Sequence, residues 1–219
     1  MIARELLDSA SIPGGSELQL FRHGSDHVIV CDRDQLMSSR MSGSEAALAT
    51  MTCARLAERT HPNLLIGGYG MGFTLRAALE VLGPQARVTV AELVPQIIAW
   101  ARGPMAQLTA GCLDDSRVEV VLADVAEVIR AGRYDAILLD VDNGPDGLVR
   151  EDNDRLYSAQ GLQYARQALR PGGILAVWSA ARDDKFAARL RKAGFKVDEV
   201  AVRARSNGKG AKHIIWFAS

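Results

Sequence analysis

Gly68, Gly70 and Gly72 lie in the run LLIGGYGMGFTLRAAL, a GxGxG pattern between an apolar stretch and a helical one. Glycines there permit a tight turn and let a bound molecule approach the backbone, with the N–H groups of the next helix facing it. The spacing is not GxGxxG, because Phe73 stands where the third glycine of that pattern would be. Glu92 closes the next strand-like run, RVTVAE, where a carboxylate is placed to accept both hydroxyls of a ribose. Asp124 follows a third such run, in LADVAEV. Its carboxylate can accept from an adenine amino group while the Val125 backbone N–H meets the ring, and it is also suited to cap the helix that follows. A fourth run ends in DVDNGPDG, where Asp140, Asp142, Asn143 and Asp146 crowd a Gly-Pro turn. Acids so placed can bind a cation, neutralise a positive charge or take a proton from an attacking amine. A carboxylate-rich turn is also an ordinary solvated loop, and that account suits Asp146 best.

Alternating strand-like and helix-like segments position these residues, as in a parallel sheet with crossover helices. Strands are expected at Asn63–Gly67, Arg87–Glu92, Arg117–Ala123, Tyr134–Asp140 and Ile174–Ser179. Helices are expected after the Gly-rich turn, from Pro95 to about Gln107, from Ser158 to Leu169 and from Asp183 to Ala193. Two last strands, about 196–204 and 212–218, are joined by a turn too short for a crossover, so the seventh runs antiparallel to the sixth. Ahead of this lie a hairpin, Glu17–Arg22 and His27–Asp32 around Gly24-Ser25-Asp26, and a helix from Ser44 to about Glu58. Its expected buried face is Ala47, Leu48, Met51 and Ala54, with Ser44 as N-cap. The fold class is therefore α/β: a Rossmann-like, class I methyltransferase layout. It has a seven-stranded, mostly parallel sheet with an antiparallel last strand, plus a small N-terminal β-hairpin. Residues 1–60 would form the lead-in and 61–219 the nucleotide-binding domain.

Composition narrows the functional classes. Lys plus Arg and Asp plus Glu balance at 26 each, so no global field favours nucleic acid or an anionic membrane. No apolar run is long enough to span a bilayer. The opening MIARELLDSASIPGG carries acids where a signal peptide needs an apolar stretch. Cys31, Cys53 and Cys112 are scattered, with no zinc spacing, so no metal site is expected and reduced buried thiols are. Together these favour a cytoplasmic protein.

The ordered series of motifs resembles the spermidine synthases, the polyamine aminopropyltransferases. HPNLLIGGYGMGFTLRAAL is similar to their cofactor loop, HPNPxxVLxxGGGDGGTLRE, and RVTVAELVPQIIAWAR to the segment with their ribose-binding Glu. RVEVVLADVAEVI matches their adenine-binding segment, YDAILLDVDNGP sits at their DSTDP motif, and LYSAQGLQYARQALRPGGIL is similar to the helix and strand that follow. The resemblance covers about residues 17–180. It implies an S-adenosylmethionine or decarboxylated S-adenosylmethionine cofactor held by Gly68, Gly70, Gly72, Glu92, Asp124 and Val125, with Asp140 catalytic. It also implies a small-molecule acceptor met by Asp142 and Asn143, and a homodimer. Trp178, at the end of the fifth strand, is a candidate wall of the acceptor pocket or a plain core aromatic.

Departures from the family pattern change the expected chemistry. The acid of GGGDGG becomes Met71, the second acid of DSTDP falls on Asn143, and a Tyr-His-Glu stretch gives way to Gly43-Ser44-Glu45. Only 5% of residues are aromatic, whereas a linear polyamine wants acids at each ammonium and aromatic walls. Losing the acid at Met71 suits carboxylated S-adenosylmethionine, so a small-molecule methyltransferase is the leading expectation. Aminopropyl transfer from decarboxylated S-adenosylmethionine and a non-catalytic nucleoside-binding module are the alternatives. The basic segment RARSNGKGAKH is either a solvated hairpin turn or a clamp on an acidic acceptor.

Overall fold

Runs such as Leu64-Leu65-Ile66 and Ala136-Ile137-Leu138-Leu139 are apolar at every position, which suits strands covered on both faces. The computed structural model describes residues 4–12, 16–32, 34–56, 58–141 and 154–219, and places these runs at the centre of a sheet. The chain opens with β1 (Glu5–Ser11), β2 (Glu17–His23), β3 (Asp26–Cys31) and β4 (Asp34–Ser38), followed by α1 (Gly43–Arg55). Five strands then alternate with helices: β5 (Asn63–Gly67), β6 (Arg87–Glu92), β7 (Val118–Leu122), β8 (Tyr134–Leu139) and β9 (Leu169–Ser179). The helices between them are α2 (Phe73–Val81), α3 (Pro95–Arg102), α4 (Ala106–Thr109), α5 (Val125–Ala131), α6 (Asp154–Tyr157) and α7 (Ala159–Ala168). The chain closes with α8 (Asp184–Lys192), β10 (Val197–Arg203) and β11 (Lys212–Ala218).

The main sheet has seven strands in the order β10-β11-β9-β8-β5-β6-β7. Pairing is parallel from β9 to β7, and β11 is antiparallel to both β9 and β10. The chain runs outward from β5 to β7 and then returns to β8 on the other side. That reversal leaves a crevice beyond the carboxyl ends of the strands, where open α/β sheets bind ligands. Successive side chains enter opposite layers. Leu64, Ile66, Ala136, Leu138 and Trp178 pack with α1, α2 and α3, whereas Leu65, Ile137, Leu139 and Val177 pack with α5, α7 and α8. Among the described residues no helix is long and apolar enough to cross a membrane.

The N-terminal hairpin is the middle of a four-stranded antiparallel sheet, β1-β2-β3-β4. The two outer strands, ELLDSAS and DQLMS, are partly exposed and lack a clean apolar alternation, so periodicity does not mark them. Asp8 of β1 accepts from Trp100 Nε1 at 2.8 Å and Gln96 Nε2 at 2.5 Å, tying this sheet to α3. Those two donors lower its carboxyl below the ordinary range. The helix expected to reach Gln107 stops at Arg102 because Gly103-Pro104 breaks it. Pro171-Gly172-Gly173 lies inside β9, at an irregularity in its pairing with β8.

In α1 the buried face is Ser44, Glu45, Leu48, Ala49, Thr52 and Cys53, offset from the expected one, and Ala54 is exposed. Ser44 does not cap the helix: Ser42 holds the N-cap position and makes no side-chain cap bond. Gly43 explains the offset, since its N–H donates to Ala204 O at 2.9 Å in the β10–β11 turn. A Cβ on Gly43 would run into the backbone of Arg205 and Ser206. Gly43→Ala should therefore lower the melting temperature by roughly 3–10 °C. Gly83→Ala, where nothing lies within 4 Å, should leave it within about 2 °C. Thermal melts followed by circular dichroism check both.

Candidate active site

The parallel strands end at one edge of the sheet, and so do the residues that follow them. Gly68 and Gly70 leave β5, Glu92 ends β6, Asp124 follows β7, Asp140 follows β8, and Trp178 lies near the end of β9. All of these, with Val125, line one cavity of about 410 Å³, a size ordinary for small-molecule sites. The N-terminal sheet covers it: Ile12, Leu18, Ile29 and Met37 contribute to the wall, and Met41 of the stretch before α1 completes it. Gly72 does not line the cavity; it precedes α2 at φ +75°, with Tyr69 Oη where its Cβ would be. Gly68 (φ +84°) passes against the backbone carbonyl of Asp140, and Gly70 (φ +53°) against the sulfur of Met37. Side chains at either place would close the approach to the backbone. Asp142 and Asn143 lie outside the described residues.

Glu92 is 7% exposed, and its two carboxylate oxygens accept from the backbone N–H groups of Tyr69 and Val94, each at 2.9 Å. Burial pushes its carboxyl up, against those backbone donors, which favour the charged form. The backbone N–H groups of Gly70 and Leu93 also face this carboxylate. Asp124 is exposed and caps α5, accepting from Ala126 N at 2.7 Å. Capping engages Oδ1, and Asp124 also lines the cavity. Trp178 is 7% exposed, and its indole N–H finds no hydrogen-bond partner among the described residues.

Sequence patterns miss one wall residue, Glu45, and leave a second, His213, as one of several basic residues in a candidate clamp. Glu45 of α1 lines the cavity at 7% exposure, and His213, at the start of β11, lines it too. Of the basic side chains of RARSNGKGAKH, Arg203, Arg205, Lys209 and Lys212 are exposed and His213 is buried and lines the cavity. Antiparallel β11 makes this possible, because it starts at the edge where the parallel strands end. The signal for Glu45 is the Gly-Ser-Glu at the head of α1, which becomes informative once Gly43 is seen to lock that turn against Ala204.

Glu45 and Asp140 form a pair of buried carboxyls. Burial raises both above the ordinary range, and their mutual repulsion raises Glu45 further. Thr74 Oγ1 donates to Asp140 Oδ2 at 2.7 Å and Ser44 Oγ to Glu45 Oε2 at 2.6 Å, partly offsetting the cost. His213 is held neutral, its imidazole pKa lowered by burial. It meets the edge of Trp178 at 4.8 Å between ring centroids. The cavity wall thus combines a buried acid that ends β6, a bare Gly-rich backbone, a pair of buried carboxyls and an imidazole.

This architecture is the class I S-adenosylmethionine-dependent methyltransferase fold. The human methyltransferase-like protein 13, solved with SAH, matches with a TM-score of 0.59 at 22% identity, over 80% of this chain and 79% of that one. The likeness to spermidine synthases is greater. The enzyme from Thermotoga maritima gives a TM-score of 0.75 at 19% identity, over 98% of this chain and 72% of that one. A spermidine synthase in complex with the transition-state analogue AdoDATO gives 0.75 at 20%, with the same coverage. In sequence, a polyamine aminopropyltransferase of Mycobacterium tuberculosis is 29% identical over 205 residues, 89% of this chain and 36% of that protein. One from Pyrobaculum calidifontis is 32% identical over 127 residues, 54% of this chain and 43% of that protein. The chain spans little more than a third of the length of the first of these relatives. No family model matches it. The resemblance carried by the motifs therefore extends to the named relatives and to the fold.

The acid pair has a stability signature. A carboxyl whose folded pKa lies above its unfolded value contributes stability that is complete below the unfolded pKa and is lost as pH rises through the folded one. Glu45→Gln, which keeps the acceptor for Ser44 but cannot ionise, should melt above the parent at pH 8 by roughly 3–8 °C. The difference should shrink toward zero by pH 4. Melting curves across that range check it.

Proposed function

We propose that this chain binds an S-adenosyl cofactor and transfers a carbon group from its sulfonium to a small amine, as an aminopropyltransferase of the spermidine synthase type. The observation that carries this is Glu45, standing beside Asp140 in the wall of the same cavity that Glu92 lines. From the motifs alone, Met71 removes the acid that meets the cofactor's amine end in the family, Asn143 replaces the second acid of the catalytic motif, and methyl transfer is the leading expectation. Met71 is fully buried in the core, while Glu45 restores a second carboxylate to the cavity from another element. Two acids suit an aminopropyl ammonium or an amine acceptor, whereas a cofactor carboxylate there would be repelled. The sequence relatives named above are aminopropyltransferases, and the likeness to methyltransferases is one of fold.

The residues present fit such a cofactor. Glu92, which ends β6, is placed for the ribose hydroxyls, and Asp124, which follows β7, for the adenine amino group, with Val125 lining the cavity beside it. Gly68 and Gly70 leave room along the backbone. When bound, the cofactor supplies an electrophilic carbon next to a positive sulfur. Asp140 then orients the acceptor amine, and the apolar walls keep water from competing. A homodimer and a cytoplasmic location, implied by the resemblance and the composition, belong to the same proposal.

Isothermal titration with both cofactors tests the choice. Tighter binding of decarboxylated S-adenosylmethionine, with formation of an aminopropylated amine, is the expected result. Preference for the carboxylated form with a methylated product would favour the methyltransferase. Binding with no turnover of any acceptor would leave the nucleoside-binding module. Asp140→Asn should lower kcat by about 10²–10⁴-fold while cofactor affinity holds. Glu92→Ala should weaken that affinity by about 10–100-fold.

A further inference from the structure

Ser44, Glu45 and His213 make a continuous hydrogen-bonded chain, with Glu45 and His213 in the cavity wall and Ser44 fully buried between them. Ser44 Oγ lies 2.6 Å from Glu45 Oε2 and 2.8 Å from His213 Nδ1. A serine hydroxyl has one proton to give, so Ser44 donates to only one of its two neighbours at a time, and two arrangements carry a proton along the chain. With Glu45 ionised, Ser44 donates to it and must accept from Nδ1–H, which leaves the lone pair on Nε2. With Glu45 protonated, each donor reverses: Glu45 donates to Ser44, Ser44 donates to Nδ1, and the ring proton sits on Nε2.

We propose that these three residues are a proton relay, in which His213 Nε2 takes the proton that the acceptor nucleophile must lose and Glu45 stores it. The inference rests on the transferase reading above, and it names a base other than Asp140. Nδ1 is committed to Ser44, so Nε2 is the ring atom that can meet a ligand in the cavity the imidazole lines. The proton leaves the acceptor's N–H bond for Nε2, the Nδ1 proton passes to Ser44 Oγ, and the Ser44 proton passes to Glu45 Oε2. The nucleophile keeps the electron pair, which forms the new bond to carbon while the carbon–sulfur pair returns to sulfur as a neutral thioether. Glu45 releases the stored proton to water after the product departs.

The chain has the right properties for this task. His213 is kept neutral by burial, which a base requires, and the ring is fixed by the edge of Trp178 as well as by Ser44. Glu45 takes up a proton readily because it is buried beside Asp140. Gly43 and Ala204 bring the head of α1 against the β10–β11 turn, so the relay is assembled from opposite ends of the chain. Ser44 and Glu45 are positioning residues, and His213 is the group that meets the acceptor.

Nitrogen NMR of the ¹⁵N-histidine-labelled full chain tests the relay without any ligand. Four histidines keep the spectrum assignable, with His213→Gln identifying the signal. At pH 8.5 the expected His213 tautomer carries its proton on Nδ1. Ser44→Ala should abolish that preference, and Glu45→Gln should keep it, since its amide oxygen still accepts from Ser44. A proton on Nε2 in the parent, or a tautomer indifferent to Ser44→Ala, would overturn the proposal. The kinetic arm uses decarboxylated S-adenosylmethionine with a panel of primary amines. Both His213→Gln and Glu45→Gln should lower kcat by about 10²–10³-fold with KM for the cofactor within about twofold. Unchanged kcat in Glu45→Gln would remove the storage role whatever the tautomer. If the parent turns over no amine, the transferase reading falls, while the tautomer result still decides whether the relay exists.

Discussion

Two carboxyls share an apolar cavity at one edge of the sheet, and much of the local architecture follows from keeping them there. Removing an ionised carboxylate from water costs several kcal/mol unless other groups compensate. Here the compensation is specific and short-range: Thr74 serves Asp140, and Ser44 serves Glu45. Among the described residues, no lysine or arginine in the cavity wall offsets either carboxyl. The pair therefore holds protons into a range where exposed acids have lost them, and a neutral imidazole can stand beside it. One desolvation cost is thus shared among four side chains.

Topology delivers the parts. Reversal of strand order between β5 and β8 opens the crevice, and the parallel strands place Glu92, Asp124 and Asp140 along it. Insertion of β11 between β9 and β10 adds what a wholly parallel sheet lacks, a strand that begins at the functional edge. His213 arrives there by that route, opposite Trp178 and against Ser44. The N-terminal four-stranded sheet, tied to α3 through Asp8, closes the cavity with apolar side chains. Water exclusion and the raised acids thus depend on a part of the chain that carries none of the acids.

Much of this was legible without coordinates. Apolar runs five to six residues long, punctuated by Gly-rich or acidic turns, identify strands buried on both faces and the order in which they come. Residues at strand ends are consequently easy to name: Gly68, Gly70, Glu92, Asp124 and Asp140 all stand at the cavity, because strand polarity alone sends them to one edge. Periodicity says less about partly exposed edge strands, which is why β1 and β4 escape it and a sheet reads as a hairpin. It also misjudges the face of α1, where the stripe of Ala47, Met51 and Ala54 is apolar but not the one most buried.

Sequence by itself determined the α/β class, the strand-end residues that meet at the cavity and the likeness to aminopropyltransferases, since each depends on local pattern and order along the chain. Only the tertiary structure decided which other residues complete the wall. Glu45 and His213 are 168 residues apart, and no local pattern relates them. They meet because Gly43 alone can lie against the β10–β11 turn, and because β11 runs against its neighbours. Ser44, which looks like a helix cap in the sequence, becomes instead the hydroxyl that joins an acid to a base. Contacts between distant segments are set by packing, and packing is what a one-dimensional pattern does not contain.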